Sequence, residues 1–199
     1  MSTAAIVRGF ADPVHDSQKV FRTALDALAR PGWIARFPSD LSPPLPLLAT
    51  STSLLLALAD YETTVWLDDT LAEATEVADF IRFHTGASLT RMRREADFAV
   101  IAASLAMPPL ASFAQGTPEY PDRSTTLIVQ ADALANDRWT FAGPGIPERQ
   151  SFSAAPLPAD FPRQLADNRA CFPCGVDLVF VTSTEIAALP RSCRIVEGD

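Results

Sequence analysis

Lysine is almost missing from this chain of 199 residues: Lys19 is the only one, and His15 and His84 are the only histidines. A pyridoxal cofactor held as a lysine Schiff base would have to use Lys19 or a partner's lysine. Histidine acid, base or metal chemistry has two candidates. Cysteine occurs three times, at Cys171, Cys174 and Cys193. An odd, small number of thiols in a chain long enough to bury its own core argues against a disulfide framework. Basic residues are also few, 16 against 24 acidic, for a net charge of −8. Such a surface lacks the cationic footprint that binds phosphate backbones or anionic lipid, so neither nucleic acid nor membrane is an expected partner. The richest apolar run, Leu54 to Ala59, is too short to span a bilayer. The opening MSTAAIVRGFADP has no basic segment followed by an apolar stretch, and the expectation is a cytoplasmic protein.

What is present is the balance of an ordinary folded protein, 48% apolar and 20% charged. Asp12-Pro13 reads as a helix start, since Asp12 can accept from free first-turn amides and Pro13 has no amide to lose there. Val14, Val20, Phe21, Ala24, Leu25 and Leu28 then recur at helical spacing until Arg30-Pro31-Gly32. Trp33 to Phe37 reads as a short strand, residues 47–59 as an apolar helix, and Thr63 to Leu67 as a buried strand. A helix is expected over 71–85, with Ala74, Val77, Ala78 and Ile81 inward and Gly86 as its left-handed cap. The near-continuous apolar runs 97–103, 124–131 and 176–182 predict central strands covered on both faces. Short helices are expected over 108–116 and 184–189, a longer one over 160–169, and Trp139 to Ala142 leads into the turn Gly143-Pro144-Gly145. Strands alternating with helices, without repeats or long linkers, predict one α/β domain over residues 1–199, a mixed sheet sandwiched by helices.

No phosphate-binding P-loop, complete dinucleotide fingerprint or G-x-S-x-G elbow occurs, so no self-contained nucleotide or hydrolase site is written in the chain. Asp12, His15 and Asp16 share a helical face, which suits a divalent ion, but a capped helix start explains them more simply. Arg82, His84 and Thr85, together with Arg91 and its neighbours Arg93 and Arg94, form a candidate anion site, because arginine presents a fork of donors to phosphate. The plainer reading is a histidine closing a helix end and a solvated arginine turn beside Glu95 and Asp97. Cys171-Phe172-Pro173-Cys174 has the form of a redox motif. Gly175 and a strand follow it instead of a helix, so small buried residues are the expectation. No catalytic residue and no metal ligand is assigned.

Several ordered blocks resemble one family, the H subunit of the carbon-phosphorus lyase complex of phosphonate breakdown. They are Phe10 to Pro13, Ser17-Gln18, Phe21-Arg22 and Ala29 to Gly32; Val77 to Asp79 and Phe83 to Gly86; Ser124 to Leu127; Gly143 to Ile146; Phe172-Pro173, Gly175 to Leu178 and Leu189 to Arg191. The resemblance implies a homodimerising α/β subunit with a fold similar to pyridoxal-dependent transferases but no cofactor site. It further implies partners of the G, I, J, K and L types. With G, I and L, such a subunit serves to replace the adenine of ATP by an alkylphosphonate, giving ribose 1-phosphonate 5-triphosphate, before a radical iron-sulfur partner cleaves the carbon-phosphorus bond. It carries over no catalytic residue. A rival expectation is an autonomous small-molecule transferase with a phosphate or phosphonate pocket around Arg82.

Overall fold

The structure, a computed structural model, describes residues 8–196. Its first helix, α1 (Pro13–Ala29), starts as expected: the Asp12 carboxylate accepts from the His15 amide at 3.1 Å. Helix α2 (Ala49–Leu58) follows the short strand β1 (Ala35–Arg36), and β2 (Thr64–Leu67) leads into α3 (Asp69–Ala72) and α4 (Thr75–Thr85). The single helix expected over 71–85 is thus two. Asp68 caps the first, and Ala74 is extended at ψ 91° before the second begins. The remaining elements are β3 (Ser88–Thr90), β4 (Phe98–Ile101), β5 (Thr126–Gln130), β6 (Ala133–Ala142), β7 (Gln150–Ala155), α5 (Phe161–Ala170), β8 (Asp177–Val181), β9 (Glu185–Leu189) and β10 (Arg194–Val196).

Seven strands form a mixed sheet in the order β1-β9-β8-β5-β4-β2-β3, parallel from β8 to β3, with β9 antiparallel to β8 and β1. The expectation of a helix over 184–189 is corrected: these residues are β9, paired Leu178↔Leu189 to Val181↔Ile186. Alternation explains it. Ile186 and Ala188 enter the core beneath α1 and α2, while Ala187 and Leu189 enter the opposite core. The helix expected over 108–116 is only a 3-10 turn, Leu110–Ser112.

One sheet face is covered by helices, with Val20, Ala24, Leu54, Leu55, Val77 and Ile81 packed on Val65, Val100, Ile128 and Val179. The other face departs from the expected helical cover. There α5 shares the work with an antiparallel sheet, β10-β6-β7, and an aromatic chain joins the layers. Phe152 lies 5.6 Å from Phe180, Phe180 lies 6.0 Å from Phe161, and Phe161 lies 5.7 Å from Trp139, all within the range of favourable ring pairs. The buried stripe of α1 is narrower than its apolar spacing suggests. Val20, Ala24 and Ala27 are inside, whereas Val14, Phe21 and Leu25 are 64%, 47% and 49% exposed.

Candidate functional site

Open parallel sheets bind ligands beyond their strand C-termini, where strand order reverses. Here the chain passes from β2 outward to β3 and returns to β4 on the other side of β2, so the reversal lies between β2 and β4. There a carboxylate of the chain bridges the segments that follow β2 and β4. Asp68, buried just after β2, accepts from the amides of Ala102 and Ala103 at 2.8 Å each and from Leu71 at 3.0 Å. Next along the rim, Gln130 accepts from the Leu48 amide at 2.8 Å and donates to the Pro46 carbonyl at 3.0 Å, and the Thr50 hydroxyl donates to the Thr182 carbonyl at 2.7 Å. Sequence reasoning missed Asp68. Its signal was an aspartate directly after a predicted strand and before a helical segment, the pattern of an N-cap.

Of the four candidate anion ligands, Arg82, His84 and Thr85 lie at the end of α4 and Arg91 directly after β3. Thr85 closes α4, donating to the Ile81 carbonyl at 2.7 Å and accepting from the Ala87 amide at 3.0 Å. His84 lies with its ring 4.4 Å from Phe80 and 5.0 Å from Phe83, and Gly9 passes so close that an added Cβ would stand 2.9 Å from Nδ1. Arg82 is exposed and 3.8 Å from Asp79. Arg91 follows β3 whereas Thr85 precedes it, and three extended residues separate strand ends by about 10 Å. In the adjoining turn, Arg93 lies 5.7 Å from the Trp66 ring, Glu95 accepts from Thr90, and Asp97 accepts from the Thr64 amide.

At the start of α1, His15 Nδ1 and Asp12 Oδ2 are 2.7 Å apart, and hydrogen bonds from the His15 amide and ring hold the Asp12 carboxyl below its usual range. Asp16 accepts from the Asp12 amide at 3.0 Å and lies 3.7 Å from the Lys19 ammonium. Among the described residues, no group of three or more histidine, cysteine, aspartate or glutamate side chains has an arrangement able to hold a metal. The expectation that the cysteines are all buried is corrected: Cys193 is, but Cys174 is half-buried and Cys171 exposed, on a turn closed by the Cys174 amide and the Cys171 carbonyl at 2.9 Å. Burial, reinforced by Asp177, pushes the Cys193 thiol up to about 12, so it remains a neutral thiol at physiological pH.

Two contacts join blocks that carry the family resemblance, and others tie a block to the rest of the chain. Gly145, at φ +81°, passes the first helix so closely that an added Cβ would lie 2.2 Å from the Ala29 carbonyl oxygen. The Asp177 carboxylate accepts from the Arg191 amide at 2.8 Å and its Nε at 3.1 Å, and the same guanidinium donates to the Pro121 carbonyl. Thr125 donates to the Ala96 carbonyl at 2.7 Å and accepts from the Ala114 amide at 3.1 Å. Gly145, Asp177, Arg191 and Thr125 are joints of the fold, whereas Phe21, Phe83 and Phe172 of the same blocks are exposed.

Fold and site together define an α/β protein with a mixed seven-stranded sheet in which the Asp68 carboxylate bridges the reversal of strand order. The model of the bacterial phosphonate metabolism protein (PhnH) family matches residues 8–196, and the chain belongs to that family. It is 41% identical over 187 residues, 94% of this chain and 93% of the relative, to the α-D-ribose 1-methylphosphonate 5-triphosphate synthase subunit PhnH of Rhizobium meliloti (strain 1021). It is also 30% identical over 81 residues, 40% of this chain and 42% of the relative, to the putative C-P lyase subunit protein HtxG of Stutzerimonas stutzeri. Among the described residues, no helix is long and apolar enough to cross a membrane.

Proposed function

We propose that this chain is the H-type subunit of a complex that, with G, I and L partners, replaces the adenine of ATP by an alkylphosphonate in phosphonate catabolism. The observation that carries the reading is the 41% identity to a synthase subunit across 94% of the chain. Two features of the molecule support a contributing rather than a solitary role. Its motif residues, Asp177, Arg191, Thr125 and Gly145, are engaged in packing and hydrogen bonds. Its first helix also leaves Val14, Phe21 and Leu25 exposed, apolar surface of the kind that subunits bury against one another.

The same reading takes residues 1–199 as one cytoplasmic domain, homodimeric, in contact with J and K types as well, and related in fold to pyridoxal-dependent transferases without their cofactor site. The position of Lys19 supports the last point. As the only lysine, it is exposed on α1 and 3.7 Å from Asp16, unlike the buried, desolvated lysine that a Schiff base uses. On this reading the chain has no turnover of its own. Coexpression with tagged G-, I- and J-type subunits tests the proposal: the chain is expected to copurify in a fixed ratio, and elution as a free species counts against it.

A further inference from the structure

The geometry points to a binding site for a small organic phosphate or phosphonate in the cavity between α1 and the connection from β1 to α2, apart from the Arg82 cluster. The cavity measures about 590 Å³, within the range of small-molecule sites. Three cations line it, Arg8 before α1, Lys19 on α1 and Arg36 at the end of β1, against two carboxylates, Asp16 and Asp40. Asp16 is already engaged by the Asp12 amide and by Lys19. Arg8 and Arg36 have no ion-pair partner among the described residues, and Glu185, opposite Arg36 across the β1–β9 pair, makes none with it. In a chain of net charge −8, a lining of three cations against two carboxylates leaves the cavity net positive, a local reversal of sign.

The remaining lining suits the rest of such a ligand. Ser53 is buried yet lines the cavity, and its hydroxyl donates to Ser39 Oγ at 2.9 Å and to the Ala49 carbonyl at 3.0 Å, which leaves the Ser39 hydroxyl proton to turn toward a ligand. Phe10 offers an apolar wall on the same cavity for the carbon portion. Planar guanidinium forks pair with carboxylates and tetrahedral oxyanions alike, but a phosphate or phosphonate, with three terminal oxygens, can engage two guanidinium groups at once, which favours it as the charged end. Arg8, Phe10 and Ala11 on its wall place the cavity beside the first family block, so it is built by the segment in which the resemblance begins.

The site stands on the cavity and its charges; only the choice of probes rests on the assignment to phosphonate metabolism. Calorimetry and phosphorus NMR of the full chain, titrated separately with methylphosphonate, inorganic phosphate and ATP, test it. Saturable binding is expected for at least one probe, weakening with salt, and the probe that binds says whether a phosphonate or a phosphate ester is the natural source. Arg36→Ala and Lys19→Ala, both at exposed positions, should each weaken binding at least about tenfold. Arg22→Ala, on α1 but outside the cavity lining, should not change it. No saturable binding of any probe, or equal binding by Arg36→Ala, Lys19→Ala and the parent chain, overturns the site. Copurification of the same variants with partner subunits is read independently, so an empty cavity in a chain that assembles normally removes the site and leaves the subunit reading standing.

Discussion

At the residue scale, Asp68 has the heaviest structural duty, because three amides from two elements converge on one buried carboxylate. Asp68→Ala leaves the Ala102 and Ala103 amides without their acceptor and uncaps α3, and should lower unfolding free energy in urea by about 3–5 kcal/mol. Asp68→Asn retains one carbonyl acceptor and should fall between that variant and the parent. An Asp68→Ala protein as stable as the parent would show that these donors find other partners. Cys193 gives a prediction in pH. Its thiol is held near 12 in the folded chain against an ordinary 9.0, so above pH 9 the unfolded chain releases a proton that the native chain keeps. Stability contributed by the neutral thiol is therefore complete below pH 9 and is lost as pH rises toward 12. Cys193→Ala should flatten the alkaline slope of stability relative to the parent. Thiol alkylation at pH 8 should follow the same order, with exposed Cys171 reacting before buried Cys193.

Among elements, the end of α4 shows what a local pattern can foretell. Gly86 has φ +74° and ψ −1°, the left-handed cap expected from its place after Thr85. A Cβ there would meet Tyr61 at 3.5 Å, an ordinary contact, so the cost of Gly86→Val comes from backbone conformation and should be about 1–2 kcal/mol in thermal or urea unfolding. Gly86→Asn should cost less, since asparagine tolerates that region. Helix starts such as Asp12-Pro13 and apolar strands such as β5 and β8 were equally legible, because cap chemistry and continuous burial are local. β9 was not. Thr182-Ser183-Thr184-Glu185 has the spacing of a capping box, and Thr182 Oγ1 does accept from the Glu185 amide at 3.1 Å. The following Ile-Ala-Ala-Leu continues as a strand because pairing to β8 buries both of its faces, a tertiary effect that overrides helix propensity. The hairpin of β6 and β7 was hidden for a related reason. Its middle, Asn136-Asp137-Arg138, is polar and bulged, with Arg138 at φ 62°, and interrupts any alternation. The cavity beside Lys19 joins residues from three separate segments, which no spacing along the chain announces.

For the whole molecule, identity spread over 94% of the chain agrees with contacts spread across the fold, from Gly145 against Ala29 to Arg191 against Asp177. Gly145→Ala places a methyl group against the Ala29 carbonyl and should loosen the joint between α1 and the β6–β7 sheet, seen as a lowered melting temperature and weaker assembly. Scarce lysine and histidine and exposed apolar residues on α1 belong together in a chain that works by contact with other subunits. The most direct test is reconstitution of alkylphosphonate-dependent adenine release from ATP with purified subunits. The partners without this chain should be inactive, this chain alone should be inactive, and mixing should restore turnover; release by this chain alone, or full activity without it, would contradict the account.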